Sequence, residues 1–291
     1  MFPALFDYRA PASLPEVLDL LGEHGDDAKV MAGGQSLIPL LKLRLSAPTL
    51  IVDLGRVPGL TGISAEGSRL RIGARTRHAD IDRDPDVSTR CRILADAAPL
   101  VSDPLIRNAG TLGGSICHAD PAGDWASVML ALDAQLVARS RRGERTMAAD
   151  GFFQGPFTTL LEPDEVLTEI QVPLPAGRAS GTYLKLERKV GDFATVGVAA
   201  QIEMDDGRVA RAGIGLTAVG PTNIRARRAE ESLRGREPTP EAIAEAARLA
   251  AAESEPKDDI RGPAEYKRDV VRVFVERALT TAVERAKGVL G

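Results

Sequence analysis

Apolar positions near the start of the chain change period twice. Leu14, Val17, Leu18 and Leu21 recur at helical spacing behind Ser13, with Glu16 three residues after it in a capping-box pattern, and Gly22 and Gly25 close the run. Ala28–Met31 then reads as a short apolar strand, and Ser36 opens a second helix through Leu37, Leu40 and Leu41. Residues 49–54 (TLIVDL) form an almost unbroken apolar run, as a strand covered on both faces requires. The pattern predicts a small α/β unit over residues 1–57.

A second unit is predicted over residues 58–177. Residues 69–73 alternate polar and apolar as a half-buried strand does, and helical spacing returns over 88–100. Asp124 is placed to cap a helix carrying Trp125, Val128, Met129 and Leu132, with Trp125 in the core. Strands over 134–140 and 166–175 close the unit, and Pro173, Pro175 and Gly177 mark its end. From 178 to 291 the pattern becomes three strands (TYLKLER, ATVGVAAQIEM and RVARAGIGLTAVG) with an Asp206-Gly207 hairpin between the last two. Helices are predicted over 223–233, 240–252 and 265–287, the last with Val270, Val271, Phe274, Leu279 and Val283 on an apolar stripe. The whole reads as α+β, ending in a smaller domain of a three-stranded sheet plus helices.

Two loops interrupt this pattern in the same way. Ala32, Gly33, Gly34, Gln35 and Ser36 form one, and Thr111, Leu112, Gly113, Gly114 and Ser115 the other, each between a strand-like and a helix-like run. Paired glycines let backbone N–H groups approach an anion closely, and a following helix start adds further donors. Two such loops suit a diphosphate, with the hydroxyls of Ser36, Thr111 and Ser115 nearby; either loop alone could equally be a tight turn. Neither GxxxxGK[ST] nor GxGxxG occurs, so the site is of neither the Walker nor the Rossmann kind.

Composition removes other chemistries. With 44% hydrophobic residues, 27% charged residues and a net charge of −4, nothing suggests nucleic-acid binding, and Arg225, Arg227 and Arg228 read as a solvated helix face. No apolar run nears the roughly 20 residues that cross a bilayer, and the first residues carry no secretory pattern, so a cytoplasmic protein is expected. The two cysteines, Cys91 and Cys117, cannot assemble a four-thiolate iron–sulfur cluster, and His24, His78 and His118 lack zinc-site spacing. Cys117 and His118, read as neighbours on a strand, would point to opposite faces, so no nucleophile pair and no catalytic residue is assigned.

AGGQS followed by LIPLLKLRL, LIRNAGTLGGSICHADPAGD, TYLKLERKVGDFATV, TAVGPTNIRARRAE and DDIRGPAEYKRDVVRVFVERAL, taken together and in this order, resemble the FAD-binding medium subunit of the molybdenum hydroxylases. That family includes xanthine dehydrogenase and aerobic carbon monoxide dehydrogenase. The resemblance implies a two-part FAD-binding domain of the vanillyl-alcohol-oxidase (PCMH) type over 1–57 and 58–177, then the family's C-terminal domain. It implies that the two loops, with Leu37 beside the first, hold the FAD diphosphate. It places Asp124 near the adenosine, Lys185 at the flavin pyrimidine edge, Leu167 against the adenine or ring system, and His118 within hydrogen-bonding reach of FAD or the loop. Where some relatives have Tyr, Phe193 stands here, able to cover a flavin face but without a hydroxyl. Core packing for Phe193 and Leu167, and a solvated strand position for Lys185, are the competing readings. The resemblance further implies electron transfer from a [2Fe-2S] small subunit, reduced by a molybdopterin-containing large subunit, to NAD, a quinone or oxygen, within a dimer of heterotrimers. A free-standing FAD-dependent oxidoreductase of related fold is the second reading, and a module that has lost its cofactor the third.

Overall fold

The computed structural model describes residues 2–290. The first unit is a three-stranded parallel sheet in which Leu50–Asp53 lies between Asp7–Arg9 and Ala28–Met31. Leu50, Ile51 and Val52 are almost fully buried, as their unbroken apolar run requires. Helix Leu14–His24 begins at Ser13, whose hydroxyl accepts from Glu16 N, and ends at Gly25 with φ +51°. Glu16 returns a bond to the backbone N–H of Ala12 rather than of Ser13, one residue outside the expected box. Helix Leu37–Leu43 follows the first glycine loop.

The second unit is a five-stranded antiparallel sheet, in spatial order Ile63–Glu66, Arg69–Gly73, Val166–Pro173, Gln135–Ser140 and Gly143–Ala148. One face packs on a core with Trp125, Leu70, Ile72, Ile93, Leu94, Leu112 and Ile116. The predicted helix over 88–100 is three short pieces, Pro85–Arg90, Arg92–Ala97 and a 3₁₀ turn Ala98–Leu100, because Cys91 departs to φ −143° and Pro99 cannot donate to the ladder. Asp124 is not a cap. Gly123 occupies that position, and the Asp124 carboxylate turns inward.

The C-terminal sheet has four strands rather than three: Arg178–Leu186, Val196–Asp205, Arg208–Thr217 and the short Ile224–Arg225. Asp206 and Gly207 turn the hairpin with φ +43° and +74°. The predicted helix over 223–233 starts only at Arg227. Arg225 is drawn into the sheet edge by ion pairs to Glu230 and to Asp133 of the second unit, which corrects the solvated reading for that residue, while Arg227, paired with Asp150, and Arg228 are exposed as expected. Helices Pro240–Glu253 and Ala264–Ala286 cover the other face, with Val271, Leu279 and Val283 of the expected stripe buried and Val270 and Phe274 partly so.

Helix Asp124–Ala131 is buried along all eight residues because it lies between two cores. A Cβ on Gly213 or Gly215 would run into the carbonyls of Ala131 and Ser127, so glycine lets the C-terminal sheet rest directly on this helix's backbone. Among the described residues no helix is long and apolar enough to cross a membrane.

Candidate functional site

The two glycine loops touch. A Cβ on Gly33 would collide with the Ala109 carbonyl and stand 2.8 Å from the Gly110 Cα, so the first loop fits against the residues that lead into the second only as glycine. Gly34, at φ +72°, turns the chain toward the helix. The loops differ in what they do with their N–H groups. In the first, the five successive amides of Gly33, Gly34, Gln35, Ser36 and Leu37 have no hydrogen-bond acceptor among the described residues, and the Ser36 hydroxyl caps nothing. In the second, Leu112 donates to the Thr76 carbonyl at 3.0 Å, Gly113 to that of Ala74 at 2.8 Å and Ser115 to that of Thr111 at 3.0 Å. Gly114 donates to the Thr111 hydroxyl at 3.2 Å. Free amides on a glycine-lined loop, ahead of a helix, are the donor set a diphosphate requires. The residues present therefore fit the cofactor the motifs imply.

The floor of the second loop is polar and buried. His78 lies under Gly110, and its Nδ1 accepts from Trp125 Nε1 at 3.0 Å, which places the imidazole proton on Nε2. Burial pulls the pKa of His78 down to about 4, so the ring is neutral. This support was not read from the sequence; the glycine at 110, which leaves room for the ring, was the available signal.

A second buried cluster stands at the start of helix Asp124–Ala131. The Asp124 carboxylate accepts from Tyr183 Oη at 2.6 Å and from Lys185 Nζ at 3.0 Å, and Lys185 also donates to the Leu100 carbonyl at 2.9 Å. Glu187 lies 3.5 Å from the same ammonium. Burial raises the Asp124 pKa, with Lys185 opposing, and burial and then Asp124 raise Tyr183 well above the usual phenol range. The Lys185 side chain is 1% exposed, which corrects the solvated-strand reading. Asp124 and Lys185, which the resemblance sets at the adenosine and at the pyrimidine edge, are thus joined in one buried ion pair.

The remaining candidates separate by exposure. Thr111 is nearly buried, its hydroxyl capping helix Leu112–His118. The side chains of Leu112 and Leu167 face the core, and Gly113 packs on Ala74, so these positions can offer a cofactor only backbone. Ser115, Gln35 and Ala32 are half-buried and Gly114 is exposed. Cys117 and His118 end a helix rather than lie on a strand; burial pushes the Cys117 thiol up to about 12 and lowers the His118 pKa, and the His118 ring leans on Phe157 with centroids 5.1 Å apart. Phe193 is 52% exposed, which corrects the core-packing reading.

Comparisons with known proteins agree with this fold. The FAD binding domain in molybdopterin dehydrogenase matches residues 4–175, and the CO dehydrogenase flavoprotein C-terminal domain matches residues 181–282. The chain is 44% identical to the carbon monoxide dehydrogenase medium chain of Hydrogenophaga pseudoflava, over 98% of this chain and 99% of the relative. It is 40% identical to subunit alpha of the 6-hydroxypseudooxynicotine dehydrogenase complex of Paenarthrobacter nicotinovorans, over 99% and 97%. In three dimensions it overlays carbon monoxide dehydrogenase from Hydrogenophaga pseudoflava with a TM-score of 0.95 at 45% identity, covering 98% of this chain and 99% of that one. Quinoline 2-oxidoreductase from Pseudomonas putida 86 overlays with a TM-score of 0.90 at 37% identity, covering 98% and 99%. The domain matches run in order through the three sheets described above and both loops, and the chain belongs to the family of FAD-binding oxidoreductase subunits of the molybdopterin dehydrogenases.

Proposed function

We propose that this chain is the electron-transfer subunit of a molybdenum hydroxylase complex, taking electrons from a [2Fe-2S] subunit and delivering them to an external acceptor. The observation that carries the reading is the run of unpartnered amides from Gly33 to Leu37 against the second glycine loop. These amides hold the FAD diphosphate, with the hydroxyls of Ser36 and Ser115 as further partners. The second loop keeps the first in place, its own amides being committed to Thr76, Ala74 and Thr111. Phe193 covers one flavin face and excludes water from it. Asp124, Tyr183 and Lys185, with Glu187 beside the ammonium, form a buried polar group that fixes the C-terminal sheet against the FAD domain. Bound FAD supplies the exchange between one-electron and two-electron transfer.

Two features support the division of labour. Two cysteines are too few for the four-thiolate cluster that would feed the flavin. The relatives are themselves named as medium chains and complex subunits. Partners carrying [2Fe-2S] clusters and the molybdopterin cofactor, in a dimer of heterotrimers, complete the proposal. Its test is the visible absorption of the purified chain with and without added FAD, followed by reduction with the partner subunits. FAD uptake with no oxidation of substrate by the chain alone supports it; turnover of an organic substrate by the chain alone overturns it in favour of a free-standing oxidoreductase.

A further inference from the structure

Strands Arg178–Leu186 and Val196–Asp205 pair in continuous register up to Leu186 opposite Val196, and Thr195 N donates to the Leu186 carbonyl at 2.7 Å. A hairpin needs only about two residues to turn there. The chain instead makes an excursion over 187–195, with Val190 94% exposed and Phe193 52% exposed. Ser102 Oγ donates to the Gly191 carbonyl at 3.3 Å, and Ala194 and Thr195 are buried, but Phe193 between these anchors projects outward.

Asp192 stands next to it in the chain. Its Oδ1 accepts from the backbone N–H of Phe193 at 2.8 Å and from Arg261 Nη2 at 3.1 Å, and its Oδ2 accepts from Arg188 Nε at 3.3 Å. The Phe193 amide, with both arginines, holds this carboxyl below the usual range. Arg188 lies on the excursion itself and moves with it, so of the two arginines only Arg261 ties Asp192 to the rest of the fold. It sits in a turn closed by the Asp259–Gly262 bridge, where Asp259 Oδ1 accepts from Arg261 N and from Lys267 Nζ, each at 2.8 Å. Lys267 is 3% exposed and also donates to the Lys257 carbonyl at 2.8 Å, so the turn is pinned by a buried cation at the start of helix Ala264–Ala286. From that base the Arg261 guanidinium reaches Asp192, and its buried Nε has no acceptor.

We propose that Arg261 is a positioning residue for the aromatic cover: through Asp192, it sets the Phe193 ring over the flavin face. The inference rests on the reading of Phe193 as that cover, and it assigns a role to the DDIRGPAEYK stretch that the diphosphate site leaves unexplained.

The test uses the FAD-loaded full chain and reads flavin emission and the rate of FAD loss, neither of which a remote structural role would move together with Phe193. Phe193→Ala should raise emission and speed FAD loss about two- to tenfold, the size of one aromatic contact. Arg261→Gln should move both readouts in the same direction, Arg261→Lys should restore most of the change, and Arg261→Gln added to Phe193→Ala should change little further, because both act on one ring. Asp192→Asn tests the same link from the excursion's side without touching the turn, should Arg261→Gln not fold. If Phe193→Ala shifts both readouts while Arg261→Gln and Asp192→Asn do not, or if the effects add in full, the positioning role is overturned and the cover stands. If Phe193→Ala shifts neither, the cover itself fails and takes this inference with it.

Discussion

The two glycine loops each carry a glycine pair and a closing serine, and are opposites in use. The loop at Gly33 and Gly34 leaves its amides unpartnered; the loop at Gly113 and Gly114 turns its amides onto Ala74, Thr76 and Thr111. A glycine pair ahead of a helix therefore states that backbone comes close to something, without stating whether that is a ligand or another loop. Gly33 does both, since the contact with Ala109 is what holds the free amides in place.

The largest expected effect separates holding from being held. Gly33→Val forces the loops apart at the Ala109 carbonyl, and FAD retention after gel filtration should be lost altogether while circular dichroism still reports the α+β fold. Retention of flavin would show that the loops are not a joint cradle. Next is Lys185→Met, which leaves Asp124 buried without its cation and should cost about 3–5 kcal/mol in denaturant unfolding. Because burial already raises the Asp124 pKa, the loss should be greatest at neutral pH and shrink on acidification as the carboxyl protonates. A stable variant with only a shifted flavin potential would return Lys185 to the cofactor edge.

Acid tests the second loop's floor. His78 has its pKa lowered from 6.5 to about 4, so its contribution is complete above pH 6.5 and lost as pH falls through 4. That amounts to about 3 kcal/mol of stability, absent from His78→Gln if the neutral ring is the cause. The smallest effects form a matched pair. Thr111→Ala removes a helix cap and should cost about 1 kcal/mol of stability. Ser36→Ala, capping nothing, should leave the melting temperature unchanged and weaken FAD binding by roughly 1 kcal/mol, the net worth of one hydrogen bond. Equal stability losses from the two would erase the distinction between the loops.

What the sequence revealed follows from which forces act locally. The helix behind Ser13, the buried strand at Leu50–Asp53 and the Asp206-Gly207 hairpin are legible because period, cap and turn residues lie within a few positions of one another. Strands Asp7–Arg9 and Ile224–Arg225 are not legible; the first is exposed throughout and both exist only through partners far along the chain. Lys185 shows the same limit in the site. One lysine alternating with apolar residues reads as solvated, and the carboxylate that allows its burial lies 61 residues earlier. Asp124 misled for the converse reason: its position suits a cap, but the pull of Tyr183 and Lys185 is tertiary. Phe193 stands beside the apolar run it was expected to join, on the excursion that precedes it.

Helix Asp124–Ala131 is a wall shared by two rooms. Its backbone carries the glycine-lined C-terminal sheet on one side and the FAD-domain core on the other, so neither room can be closed without the other's contents. Cutting the chain near residue 177 should thus yield two sticky fragments instead of two working modules, and the intact protein should melt in a single step. For anyone grafting or swapping parts among relatives, the unit of exchange is the whole chain.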